Sequence, residues 1–176
     1  MILWTIQHRA AYEEMLQTGS LRANPAHICD EYFRDAYEWM VEQMKKRIGN
    51  PPVGVEFPVW AWYQWEGKRK RLDMRTHGRW SDKGMPIVLL TIDVPEEQVL
   101  LSDFDWWHAV LGNGEIIFPL EDDTVHSDEE RRKSWEKIFD YECTFDEERS
   151  TELSTQATMW EVKLEWVRKV EYFVVR

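Results

Sequence analysis

Cysteine is scarce in this chain: two residues in 176, Cys29 and Cys143, far apart and outside any CxxC or Cys/His spacing. That excludes a disulfide-built scaffold and a structural zinc site, and two lone thiols suit a reducing cytoplasm. Long hydrophobic runs are missing as well. No window approaches the roughly 20 apolar residues of a membrane-spanning helix, and Met1 to Gln7 is too short, and lacks a basic leader, for a signal peptide. Glycine is sparse, and Gly112-Asn113-Gly114 is too short for a phosphate-cradling loop and follows a helical pattern instead of preceding one. P-loop and Rossmann folds are thereby excluded, and no GxSxG nucleophile motif is present. Basic charge is outweighed: 22 Lys and Arg against 33 Asp and Glu leave a net charge of −11. Such a chain is repelled by phosphate at long range, which excludes DNA binding over its whole surface. A cytoplasmic protein with no membrane partner is expected, of one domain spanning residues 1–176.

Aromatic rings are abundant, with 11 tryptophans. They are densest in Pro58-Val-Trp-Ala-Trp-Tyr-Gln-Trp-Glu-Gly67, and Lys68-Arg69-Lys70-Arg71 follows at once, then Arg75 and Arg79. Flat π-faces that feed a cationic loop can stack a base and hold its phosphates. Trp62, Tyr63, Lys68, Arg69, Arg71 and Arg75 are therefore the candidate ligand contacts. The plainer reading is a core strand ending in a solvated turn. Alternation sets Trp60 and Trp62 on one face of that strand and Ala61, Tyr63 and Trp65 on the other, both largely apolar, as in an interior strand. Acids concentrate between Glu121 and Glu152, where thirteen stand against five bases; a solvated helix accounts for them.

The remaining patterns place a strand at Ile2 to Gln7 and a helix at Arg9 to Thr18 stopped by Gly19. A second helix opens at Asp30 and carries Phe33, Tyr37, Met40, Met44 and Ile48 on one face. Ile87 to Val94 is the strongest strand. Ser102 is expected to cap a helix running to Gly112, with Asp105 at its third position, and Ser127 with Glu130 repeats the device ahead of a helix carrying Trp135, Ile138 and Phe139. Ala157 to Lys163 and Val170 to Val175 read as two closing strands. Together these predict an α+β fold with a mixed or mostly antiparallel sheet.

Other constellations are weaker. Asp93, Asp103 and Asp105 with Glu96 or Glu97 could gather a hard cation, but helix-dipole partnership explains the two at the helix start, and no metal site is expected. Asp105 stands three residues before His108, close enough to orient its imidazole, without a nucleophile beside them. Gln156 and Glu161 flank a strand mouth and face either a cleft or ordinary solvent.

Four segments, Leu3-Trp4-Thr5-Ile6-Gln7, Pro58 to Gly67, Leu101-Ser-Asp-Phe-Asp105 and Gln156-Ala-Thr-Met-Trp-Glu161, resemble a bacterial domain-of-unknown-function family, the one numbered 3841, over nearly the whole chain. That resemblance implies a bacterial or phage source and no activity. A second, looser resemblance is to ADP-ribosyltransferase-like folds, carried by the opening strand, by Gly19-Ser20-Leu21 after the first helix, by the aromatic strand Val59 to Trp65 and by the strand Ile87 to Pro95. It implies NAD as substrate, with Thr5 or Gln7 on the nicotinamide ribose, Tyr63 stacking, and Gln156 or Glu161 in the place of the catalytic glutamate. The chain lacks the His-Gly or Arg opening, the Ser-Thr-Ser and the Glu-x-Glu of those enzymes. From the residues alone, a nucleotide-binding protein and a non-catalytic module that grips nucleic acid or an acidic protein through residues 68–79 both remain open.

Overall fold

A computed structural model describes residues 1–25, 31–77, 82–116, 127–140 and 153–176. Arg79, Cys29, Cys143, His27, His126 and most of the acidic stretch lie outside these residues. The order of elements is β1 (Ile2–His8), α1 (Arg9–Thr18), β2 (Ser20–Leu21), α2 (Arg34–Ile48), β3 (Val59–Gln64), α3 (Met74–His77), β4 (Pro86–Asp93), β5 (Leu100–Asp103), α4 (Phe104–Leu111), α5 (Asp128–Ser134), β6 (Thr155–Met159), β7 (Val162–Lys163) and β8 (Val167–Val174). The fold is α+β. Six strands form an antiparallel sheet in the order β5-β6-β3-β1-β4-β8, and β2 and β7 make a small antiparallel ribbon.

Several elements differ from the sequence patterns for identifiable reasons. Ala157 to Lys163 is not one strand, because the chain bends at Trp160–Glu161 and β7 leaves to pair with β2. The last strand starts at Val167, earlier than its apolar pattern, since β4 supplies pairing that apolar periodicity does not register. Asp103, not Ser102, caps α4 by accepting from the Trp106 amide at 2.8 Å, while Ser102 stays in β5. Trp135 to Phe139 forms a 3-10 turn after the capping-box helix α5. A short 3-10 turn, Glu31–Phe33, precedes α2.

Two layers of core flank the sheet. On one face Leu3, Val59, Ala61, Val88, Leu90, Ile92, Leu101, Ala157 and Met159 pack with Tyr12 and Met15 of α1 and with Leu21 and Val162 of the ribbon. The opposite face divides. Leu100 and Trp60 meet α2, α4 and the turn carrying Trp135 and Ile138, whereas Trp4, Trp62 and Leu89 lie under Leu72. Eight of the ten described tryptophans are buried, and Trp60 and Trp65 are half-buried. Core packing thus absorbs most of the rings.

One seam interrupts the sheet. β1 shares seven register pairs with β4 but a single one, Trp4 with Trp62, with β3. The sheet is therefore two three-stranded halves, β5-β6-β3 and β1-β4-β8, joined in their ladder at one point.

Candidate functional site

Side chains close this seam where backbone pairing stops. Thr5, 1% exposed, donates from its hydroxyl to the Trp60 carbonyl at 2.8 Å and accepts from Gln7 Nε2 at 2.7 Å. At the other end Arg69 donates from Nη1 to the Tyr63 carbonyl at 2.7 Å and from Nη2 to the Ile2 carbonyl at 2.6 Å. Its guanidinium also lies 3.8 Å from the Tyr63 ring centroid and 5.2 Å from that of Trp4. At the Tyr63 end, a register shift between Trp62 and Gln64 sets two residues of β3 against one of β6, and a bulge of this kind bends its strand, here just past the single pair with β1. It also reverses the alternation, so Trp65 returns to the face of Trp62, with ring centroids 4.7 Å apart, instead of following Tyr63.

Beyond the bulge the chain turns tightly. Trp65 and Lys68 exchange backbone bonds, and both central residues have positive φ, 46° at Glu66 and 69° at Gly67. The basic segment is the return arm of that turn, and its residues alternate in role. Arg69 clasps the seam. Arg71 makes a two-pronged ion pair with Glu171, Nε to Oε2 at 2.8 Å and Nη2 to Oε1 at 3.0 Å. That hydrogen-bonded guanidinium is the main reason the Glu171 carboxyl is held below its ordinary range. Leu72, 2% exposed, anchors the arm in the core. Arg75 closes on Asp73 and, by hydrogen bonding it, holds that carboxyl far below its usual range. Lys68 and Lys70 are exposed. Arginine's planar fork suits fixed carbonyl and carboxylate partners, and the hydrated lysine ammonium does not need them.

The predicted contacts fall into three groups. Thr5, Gln7 and Tyr63 share one face and flank the seam, since Thr5 and Gln7 align with Leu90 and Val88 of that core layer and Tyr63 packs on it. Trp62, 9% exposed, lies on the opposite face among Trp65, Phe104 and Leu72. Gln156, its cross-strand partner, is buried there and donates to the Ser102 hydroxyl at 3.3 Å. Glu161 stands apart in the bend before β7, paired with Arg22 at 2.8 Å. Arg22 also donates to the Val53 carbonyl at 3.3 Å, so the pair ties the β2–β7 ribbon to the turn before β3.

His108 is not oriented by Asp105. Its Nδ1 donates to the Phe104 carbonyl at 2.9 Å, the backbone group one helical turn back. Among the described residues no cluster of His, Cys, Asp or Glu is arranged to hold a metal ion. An open groove of about 570 Å³, lined by Gly19, Lys163, Leu164 and Glu165, lies at the ribbon. Among the described residues, none predicted from sequence lines it. The sequence pattern predicts Gln156 at a strand mouth and Ser102 at a helix cap, but their hydrogen bond to each other and the burial of Leu72 carry no signal in local sequence.

This α+β chain matches the model of a family described as a domain of unknown function (DUF3841) over residues 2–131, and it belongs to that family. The matched span runs from β1 into α5. It contains the seam and the basic arm but stops before β6, so it is narrower than the nearly full-length resemblance. No curated protein and no solved structure matches the chain. No helix among the described residues is long and apolar enough to cross a membrane.

Proposed function

We propose that this protein binds a nucleotide-like ligand at the β1/β3 seam, on the face that carries Thr5, Gln7 and Tyr63. One observation carries the reading: the sheet's ladder is interrupted where two hydrogen-bonding side chains of β1 and an aromatic ring of β3 lie on the same side. Gln7 and Tyr63 are half-buried, so both retain surface for a ligand. An amide and a phenol ring supply a directional contact and a stacking plane, and Lys68, on the far side of the tight turn that follows β3, supplies charge for a phosphate. In the fuller version the ligand is NAD and the protein is a divergent relative of the ADP-ribosyltransferases. Glu161 is then the catalytic carboxylate, because the ribbon that follows it packs on the Thr5 face, while Gln156 faces the other way. Trp62 acts from beneath as a wall and not as a stacking partner. The low cysteine content and the family resemblance support a cytoplasmic setting in a bacterium or phage.

Titration with NAD and with ADP-ribose tests this reading through tryptophan fluorescence and thermal shift. Saturable quenching that Tyr63→Ala and Gln7→Ala weaken at least tenfold is expected. In the fuller version Glu161→Gln abolishes nicotinamide release but leaves binding intact. No spectral or thermal response at millimolar nucleotide removes the reading.

A second reading rests on a different observation. Lys68 and Lys70 are exposed on an arm held by Arg69, Arg71 and Leu72. A fixed arm with outward ammonium groups suits a non-catalytic module that engages nucleic acid or an acidic protein.

A further inference from the structure

We propose that Arg69 is a latch, and that the β1/β3 seam opens locally at its Ile2/Tyr63 end when the basic arm lifts. Three features point to this. First, the seam has its own weakness: one register pair on this side of β1 against seven on the β4 side. Second, the closing bonds at this end come from one side chain. The Arg69 guanidinium takes the Ile2 and Tyr63 carbonyls together, so a single rotamer change frees both. Third, those bonds and Arg69 itself are exposed to solvent. Water can replace the guanidinium at the carbonyls as it leaves, which makes this end the low-cost place for the sheet to part.

The arm carries further consequences. Arg69 lies over Trp4, and Leu72 of the same arm packs on Trp4 and Trp62. Lifting the arm therefore uncovers two indoles that are otherwise buried, and loosens the strand bearing Thr5. If the ligand reading above holds, this is how a hydroxyl only 1% exposed becomes reachable; the latch itself does not depend on that reading. Lys68 and Lys70, which bracket Arg69 in the chain, would pass the pull of a bound anion directly to it.

Hydrogen exchange of the free protein tests the latch. The Met1 carbonyl accepts from the Val94 amide on the β4 side. Alternation then turns the Leu3, Thr5 and Gln7 amides toward β4 and those of Trp4 and Ile6 toward β3. In the wild type the Trp4 amide, the β3-facing one next to the latch, should exchange at least tenfold faster than those of Thr5 and Gln7. Arg69→Met should speed exchange tenfold or more in peptides covering 2–8 and 59–65 and leave 86–93 and 167–174 unchanged. Acrylamide quenching of tryptophan should rise in parallel. Arg69→Lys, which keeps the charge but can hold only one carbonyl well, should fall between. Equal exchange of the two amide sets in the wild type overturns the latch, as does uniform acceleration across all strands in the variants. A failed nucleotide titration with these exchange results intact removes only the ligand reading. The reverse pattern removes only the latch.

Discussion

Glu171 illustrates how one residue links the basic arm to the sheet. It stands in β8, opposite Leu89 of β4, and accepts both prongs of Arg71 while Lys169 approaches at 3.2 Å. The Arg71 hydrogen bonds lower its native pKa below the ordinary value of 4.5. A carboxyl lowered in the folded state binds fewer protons there than in the unfolded chain, so the pair stabilises the fold above that ordinary value. The contribution disappears as pH falls through the lowered native pKa. Glu171→Gln should cost about 0.5–1 kcal/mol at neutral pH, the scale of a partly exposed ion pair with good geometry. The gap between wild type and variant in denaturant titrations should close below pH 4.5. A gap that stays constant down to pH 2 would show that packing against Arg71, not charge, holds the arm.

At the scale of elements, the turn from Trp65 to Lys68 is where sequence preference and structure conflict. Glu66 adopts φ of 46°, a left-handed conformation that costs a side-chain-bearing residue about 1 kcal/mol and that Asn or Gly accepts more readily. Its amide donates to the Ser154 hydroxyl at 3.0 Å and the Gly67 amide to the Leu153 carbonyl at 3.0 Å. The segment leading into β6 therefore holds the turn in its unfavourable form. Glu66→Asn should raise stability by roughly 0.5–1 kcal/mol, read as a higher midpoint in urea with unchanged slope. A lower midpoint would mean that the glutamate makes a compensating contact. The bulge just before this turn puts Trp65 on the face opposite to the one alternation predicts: strict alternation cannot foresee a bulge, which depends on how β6 meets β3.

For the molecule as a whole, charge is segregated. The chain carries −11, yet the arm from Lys68 to Arg75 holds five cations, of which Arg71 and Arg75 are ion-paired and Arg69 is held by two carbonyls. Of the five described cations from Lys68 to Arg75, the arm can therefore offer a partner Lys68 and Lys70. If the module reading holds, the double reversal Lys68→Glu with Lys70→Glu should weaken binding to single-stranded oligonucleotides. The slope of log K against log salt should then fall by about 1.4, roughly 0.7 for each lost contact. Binding to an acidic peptide with no oligonucleotide binding would reassign the partner, and unchanged binding to both would make the arm plain surface.

The antiparallel α+β character, the first helix with its Gly19 stop, the strand at Ile87 to Val94 and the capping box at Ser127 were legible from periodicity and capping chemistry alone. Those signals act within a few residues of each other. The partition of the aromatic strand into core and rim was not legible, because a tryptophan's exposure depends on what covers it, and Leu72 arrives from outside the strand. Nor were the partners of the arginines, since Ile2, Tyr63 and Glu171 are brought to Arg69 and Arg71 by the folded sheet. Local sequence thus determined which elements form and where charge and rings are concentrated. Tertiary structure decided which rings are used for packing, which cations are occupied, and where the sheet is joined by side chains instead of its own backbone. The physical reason is that hydrogen bonds and burial between distant segments exist only once the chain has closed on itself.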